Sequence, residues 1–183
     1  MMRWLTALVL LAGAFLARPA AAEITELAKV GPWDAFHVIN DDGHSLCGIS
    51  QFNNGLGFLI KVDNERQAFI HLSKEGWAVP AGARVRVGFV VDGRPVLDLP
   101  FLPTDHPTMI EGNLVPEQAA GLIDRFSLGG HMQVRFLTGN EGFWDVPLEG
   151  TYRITQHFLR CLAERLHPRQ PFDAALPGSS QPF

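Results

Sequence analysis

The stretch Ala83 to Phe101, ARVRVGFVVDGRPVLDLPF, commits the chain to paired strands. Val85, Val87, Phe89 and Val91 alternate with Arg84, Arg86 and Gly88, and Leu97, Leu99 and Phe101 resume the alternation beyond Asp92-Gly93. A period of two gives each run one apolar face, and Asp-Gly between two such runs is a hairpin turn. Opposed residues of an antiparallel pair share a face, so the two apolar sets meet only if odd-numbered residues oppose odd-numbered ones. A two-residue Asp92-Gly93 loop pairs Val87 with Asp98 and sets the apolar faces on opposite sides. A three-residue loop, Val91 to Gly93 with Gly93 as a left-handed bulge, pairs Val87 with Leu97 and Val85 with Leu99, and this is the expected register.

The first residues read as an export leader. Arg3 supplies the positive start, Leu5 to Ala17 are apolar, and Ala20-Ala21-Ala22 is a small-residue cleavage site, so residues 1–22 are expected to be a signal peptide. An uncleaved N-terminal anchor is the alternative. No later stretch approaches the roughly 20 apolar residues of a membrane-spanning helix, so no transmembrane segment is expected in the mature chain. The formal charge is −4 for all 183 residues and becomes −6 once Arg3 and Arg18 leave with the leader. No Lys/Arg cluster offsets that balance, which argues against a nucleic-acid partner or a polybasic membrane patch. The expected location is periplasmic or secreted, and 23–167 is expected to form a single β-rich domain.

Along that domain the patterns change once. Glu23 to Pro32 is a polar lead with too little periodicity to assign. Trp33 to Ile39, Ser45 to Phe52, Leu56 to Val62 and Gln67 to Leu72 read as a meander of short strands separated by Asn, Asp and Gly turns. Pro100 to Asn113 carries three prolines and a glycine and reads as the longest irregular segment. Pro116, followed by an acid, starts a short helix whose stripe is Leu122, Ile123 and Phe126 and which Gly129 stops. His131 to Leu137 and Phe143 to Leu148 are strands. Thr151 is the expected N-cap of a last helix bearing Ile154, Phe158, Cys161, Leu162 and Leu166, ended by Pro168. Residues 168–183, rich in Pro, Ser and Gly, read as a flexible tail. Eight or nine strands and two helices predict a mainly β fold: an antiparallel β-sandwich or barrel-like domain with one short helix and a C-terminal helix packed on the sheet.

Signatures of chemistry are sparse. The seven histidines, His37, His44, His71, His106, His131, His157 and His167, fall into no HExxH or HxH pattern, and His44 with Cys47 is too little for zinc, so neither a metal nor another cofactor is expected. G-x-S-x-G is missing, and Ser50 lies within a strand. Asp105-His106 is the one acid-histidine neighbour pair on an expected loop, although adjacent side chains seldom face one another. Asp41-Asp42-Gly43-His44 lacks the alternate ligands and distal Glu of a calcium loop. Trp33, Trp77, Phe143 and Trp144 are rings that fill a core or anchor an interface. Trp77, Asp105, His106 and Trp144 are therefore the candidate binding surface, and no catalytic residue is assigned.

Cys47 and Cys161 are the only cysteines. Export places them in an oxidising compartment, and each sits on an expected apolar face, Cys47 with Ile49 and Cys161 beside Phe158 and Leu162. They are expected to form a disulfide, the alternative being two buried thiols.

The run VPAGARVRVGFVVDGRPVLDLPF, followed by a short helix, a Gly-ended turn, HMQVRF and VPLEGTYRITQHFLRC, resembles the invasion-associated locus B type of exported bacterial protein. The likeness spans most of Trp33 to Cys161. Members of that family carry a cysteine pair in the loop after the central hairpin, whereas FLPTDHPTMIEGN has none here. The resemblance implies an exported β-rich domain linked by name to host-cell invasion, with no chemistry to transfer. The expected function is that of a non-enzymatic exported protein binding a protein partner in the envelope or on a host cell. A small hydrolase using His106 or His131, or a purely structural envelope protein, are the alternatives.

Overall fold

The computed structural model describes residues 22–40 and 42–166. The expected leader, apart from Ala22, and the expected tail lie outside these described residues. Ten strands, β1 (Glu23–Val30), β2 (Trp33–Ile39), β3 (Ser45–Asn53), β4 (Leu56–Asp63), β5 (Ala68–Lys74), β6 (Val85–Val91), β7 (Arg94–Pro103), β8 (Met109–Leu114), β9 (His131–Phe136) and β10 (Phe143–Pro147), form one antiparallel sheet. Its order is β1-β2-β3-β4-β5-β8-β7-β6-β9-β10. Two helices complete the fold: α1 (Pro116–Leu128) and α2 (Thr151–Cys161), the latter continued by a wider π-helical turn at Leu162–Leu166.

The sheet folds over on itself. β4 and β6 are four positions apart in the strand order, about 19 Å if the sheet lay flat at the usual strand spacing. Yet the rings of Phe58 on β4 and Phe89 on β6 lie 6.3 Å apart between centroids. The fold line is narrow, because β7 and β8 pair only at Leu102 with Glu111 and Pro103 with Ile110. Two half-sheets joined at that seam therefore face each other across a common core, a sandwich made from one sheet. The remainder of β7 pairs with β6 alone, an edge-like position where Pro95 and Pro100 are tolerated.

The helices close the open side of the sandwich. From α1 the ring of Phe126 meets Trp33 edge-on at 4.9 Å and stacks with Phe58 at 6.1 Å. Trp33, Phe89 and Phe126 are wholly buried. α2 packs on β1, β2, β3 and α1. The sulfurs of Cys47 on β3 and Cys161 at the end of α2 are in bonding contact, with Cα atoms 6.1 Å apart, the separation a disulfide requires.

The central hairpin keeps the expected parity by a different device. Asp92 and Gly93 both have positive φ, 48° and 77°, so the turn has two residues and pairs Val91 with Arg94. A bulge between Phe89 and Val90 then lets Val96 stand unopposed, and beyond it Phe89 faces Leu97, Val87 faces Leu99 and Val85 faces Phe101. The partner of Val87 is Leu99 rather than Leu97, and odd still opposes odd. Gly150 caps α2 at φ 89°, where a Cβ would press on Val30. Thr151 is instead the first helical residue, its hydroxyl donating to the Leu148 carbonyl at 2.6 Å.

Candidate functional site

A concave feature is built where the chain leaves β5. Residues 75 to 84 carry no regular structure and are held by backbone bonds: the Val79 N–H donates to the Pro107 carbonyl at 2.8 Å and the Trp77 N–H to the Lys74 carbonyl at 3.1 Å. This loop and the β9–β10 connection bound a cleft of about 320 Å³ lined by Trp77, Ala78, Val79, Pro80, Val85, Ile110, Phe136 and Glu141, among others. Trp77 meets Phe136 edge-on at 5.7 Å and lies 5.5 Å from Trp144, which is 5.0 Å from Phe136.

One carboxylate organises these rings. Glu141 accepts from the indole N–H of Trp77 at 3.2 Å, from that of Trp144 at 3.2 Å, and from the Lys74 ammonium at 2.8 and 3.0 Å. Burial pushes its pKa up, but the Lys74 and indole hydrogen bonds outweigh this and hold it below the ordinary carboxylate value. The ion is thus fully engaged in joining β5 to the β9–β10 connection. What the cleft offers a ligand is mainly apolar surface.

Of the four candidate surface residues, Trp77 and Trp144 are brought together, although 67 positions separate them in sequence and only Trp77, half-buried, lines the cleft. Trp144 is 5% exposed and backs its neighbour. Asp105 and His106 are exposed on the β7–β8 turn, where the His106 N–H donates to Thr104 Oγ1 at 3.1 Å. Asp105 lines a separate depression with Leu102, Thr104 and Glu111. The other histidine considered for catalysis, His131, lies on β9 rather than in a loop, its Nε2 3.1 Å from the exposed Asp145 carboxylate. Among the described residues no three His, Cys, Asp or Glu side chains converge as a metal ion would need.

Two polar groupings escaped sequence reasoning. His37 is buried; its Nε2 contacts Ser45 Oγ at 2.8 Å and its Nδ1 the Arg165 guanidinium at 3.1 Å. Burial first, and Arg165 second, depress its pKa below the ordinary value. The second grouping sits on the outer face of the sheet. Register places Lys61 of β4 opposite Phe69, and His71 of β5 between Leu59 and Glu111, all on one face. His71 Nε2 lies 2.6 Å from Glu111 Oε2, and Nδ1 lies 3.4 Å from Lys61 Nζ and 3.0 Å from Met109 Sδ. Burial lowers the Lys61 pKa against an opposing pull from Glu111, while the His71 hydrogen bond lowers that of Glu111. Alternation along β4 and β5 could have put Lys61 and His71 on one face, but Glu111 belongs to a strand that the prolines conceal.

No protein-family model, curated protein or solved structure matches the chain.

Proposed function

We propose that this chain is an exported, non-enzymatic binding domain of the invasion-associated locus B type, and that it grips a protein partner of the envelope or a host cell through the cleft beside Trp77. The observation that carries this reading is the half-buried indole of Trp77, fixed by Glu141 and packed against Phe136 at the rim of an apolar hollow. A preorganised aromatic side chain loses little rotamer freedom on binding, which is why Trp is enriched among the residues that dominate interface energetics. At about 320 Å³ the cleft takes one or two apolar side chains of a partner. Its lining includes no histidine, and its one carboxylate is consumed by structural hydrogen bonds, so apolar contact rather than proton transfer is what it supplies. Export rests on the leader-like residues 1–22 and on the cysteine pair.

The test is capture from envelope and host-surface extracts on immobilised mature domain, comparing the wild type with Trp77→Ala. A partner retained by the wild type and weakened about 30-fold by the substitution, with circular dichroism unchanged, supports the reading. Equal retention by both, or no specific partner from either extract, contradicts it.

A further inference from the structure

The grouping on the outer face goes beyond partner binding. Sequence offers three lysines, Lys29, Lys61 and Lys74. Lys29 bonds directly to Asp34 at 2.6 Å and Lys74 to Glu141 at 2.8 Å, as a solvated or clamped ammonium does. Lys61 is arranged differently. Among the described residues no carboxylate lies within ion-pair distance of it, and the group it meets is a histidine whose far nitrogen is held by a glutamate. With the Glu111 carboxylate 2.6 Å from Nε2, the proton belongs on that nitrogen, leaving the lone pair of Nδ1 facing Lys61 Nζ. Nucleophile, base and orienting acid in line is the arrangement that activates serine and cysteine elsewhere, here with an amine in the first place. We propose that Lys61 is a nucleophilic amine that captures small apolar aldehydes as an imine, with His71 as the base that takes its proton and Glu111 as the residue that positions His71.

The step balances without a redox partner. The Lys61 ammonium passes one proton to His71 Nδ1, where Met109 Sδ at 3.0 Å receives the new N–H and Glu111 stabilises the imidazolium. The freed nitrogen pair attacks the carbonyl carbon, the C=O π pair moves to oxygen, and the imidazolium returns the proton to that oxygen. One of the two protons then on nitrogen moves to the hydroxyl, which departs as water, and the nitrogen keeps the other as C=NH+, so the single positive charge of the ammonium is conserved. The net change is ammonium plus aldehyde giving protonated imine plus water, a stoichiometric capture that needs no turnover. Phe69 directly opposite Lys61, with Leu59 and Leu102 flanking His71 and Glu111, supplies the apolar surface for the aldehyde's chain. On the other side β3 presents Gly48, over which the Phe36 ring lies, so the charged and titratable groups facing Lys61 are His71 and Glu111. Partial burial, which depresses the Lys61 pKa, favours the same free amine.

The experiment treats the mature protein with butanal and cyanoborohydride at neutral pH and follows each lysine by peptide mass spectrometry. Lys61 is expected to be alkylated about tenfold faster than Lys29 and Lys74, and His71→Gln to bring it down to their rate. Glu111→Gln separates positioning from simple charge. As a charge alone, Glu111 raises the Lys61 pKa, so its removal would speed alkylation; as the residue that orients His71, its removal slows Lys61 about tenfold while Lys29 and Lys74 are unchanged. Alkylation of Lys61 at or below the rate of the other two lysines in the wild type overturns the proposal, whether or not the variants fold. So does an unchanged or faster rate in folded Glu111→Gln.

Discussion

Asp92 illustrates how much one side chain can hold. It takes the left-handed φ of 48° that the two-residue turn demands, a conformation Asp tolerates better than most residues. Its carboxylate accepts from the His131 N–H at 3.0 Å and the Gly130 N–H at 3.2 Å, fastening the hairpin tip to the junction between α1 and β9. Asp92→Ala should therefore lower unfolding free energy by about 1–3 kcal/mol, through two unpartnered N–H groups and a strained φ, as read from urea denaturation. His37 makes a pH prediction. Its folded-state pKa is depressed, so the neutral form is favoured in the fold, and its contribution is complete above the ordinary value of about 6.5 and is lost as pH falls through the folded value. Stability should decline on acidification below pH 6.5, and His37→Gln should flatten that decline, measured as unfolding midpoint against pH.

At the level of elements, Phe89 tests the hairpin most simply. It is wholly buried and lies 6.3 and 6.2 Å from Phe58 and Phe101, so Phe89→Ala should cost about 3–5 kcal/mol. A loss below about 1 kcal/mol in denaturant titrations would place the ring at the surface instead. Eight strands and both helices were legible because each carries an uninterrupted period or a Pro and Gly boundary. β1 was not, since a register shift at Leu27 breaks its alternation and its residues are only partly covered. β8 was hidden by Pro103 and Pro107 before it and by Gly112 within it, yet a Cβ at Gly112 would strike Leu99 and Phe101, so the glycine is demanded by the packing. Parity for the hairpin was readable; the bulge that delivers it was not, because Val96 looks like any other strand residue. The same gap at β8 kept Glu111 away from His71. Trp77 and Trp144 met only once the half-sheets were folded together.

The whole molecule is one sheet doubled over an aromatic core, with α2 laid on its β1–β3 flank and its far end fixed to β3 by the cysteine pair. The cleft beside Trp77 lies where the two half-sheets meet, lined mainly by residues after β5 and after β9 and by none of β1–β3, so the flank that the clamp stiffens and the proposed binding surface are separate. Closure across 114 residues should stabilise the fold by about 4–5 kcal/mol in the chain-entropy treatment. Among the described residues no helix is long and apolar enough to cross a membrane. Exported as proposed, the domain should keep both cysteines oxidised once it reaches an oxidising compartment. Thiol titration of the protein recovered from the exported fraction, under denaturing and non-reducing conditions and paired with thermal melts with and without reductant, measures this directly. No titratable thiol and a clear fall in melting temperature on reduction are expected; two thiols per chain, or a melting temperature indifferent to reductant, would show that no such clamp holds the fold.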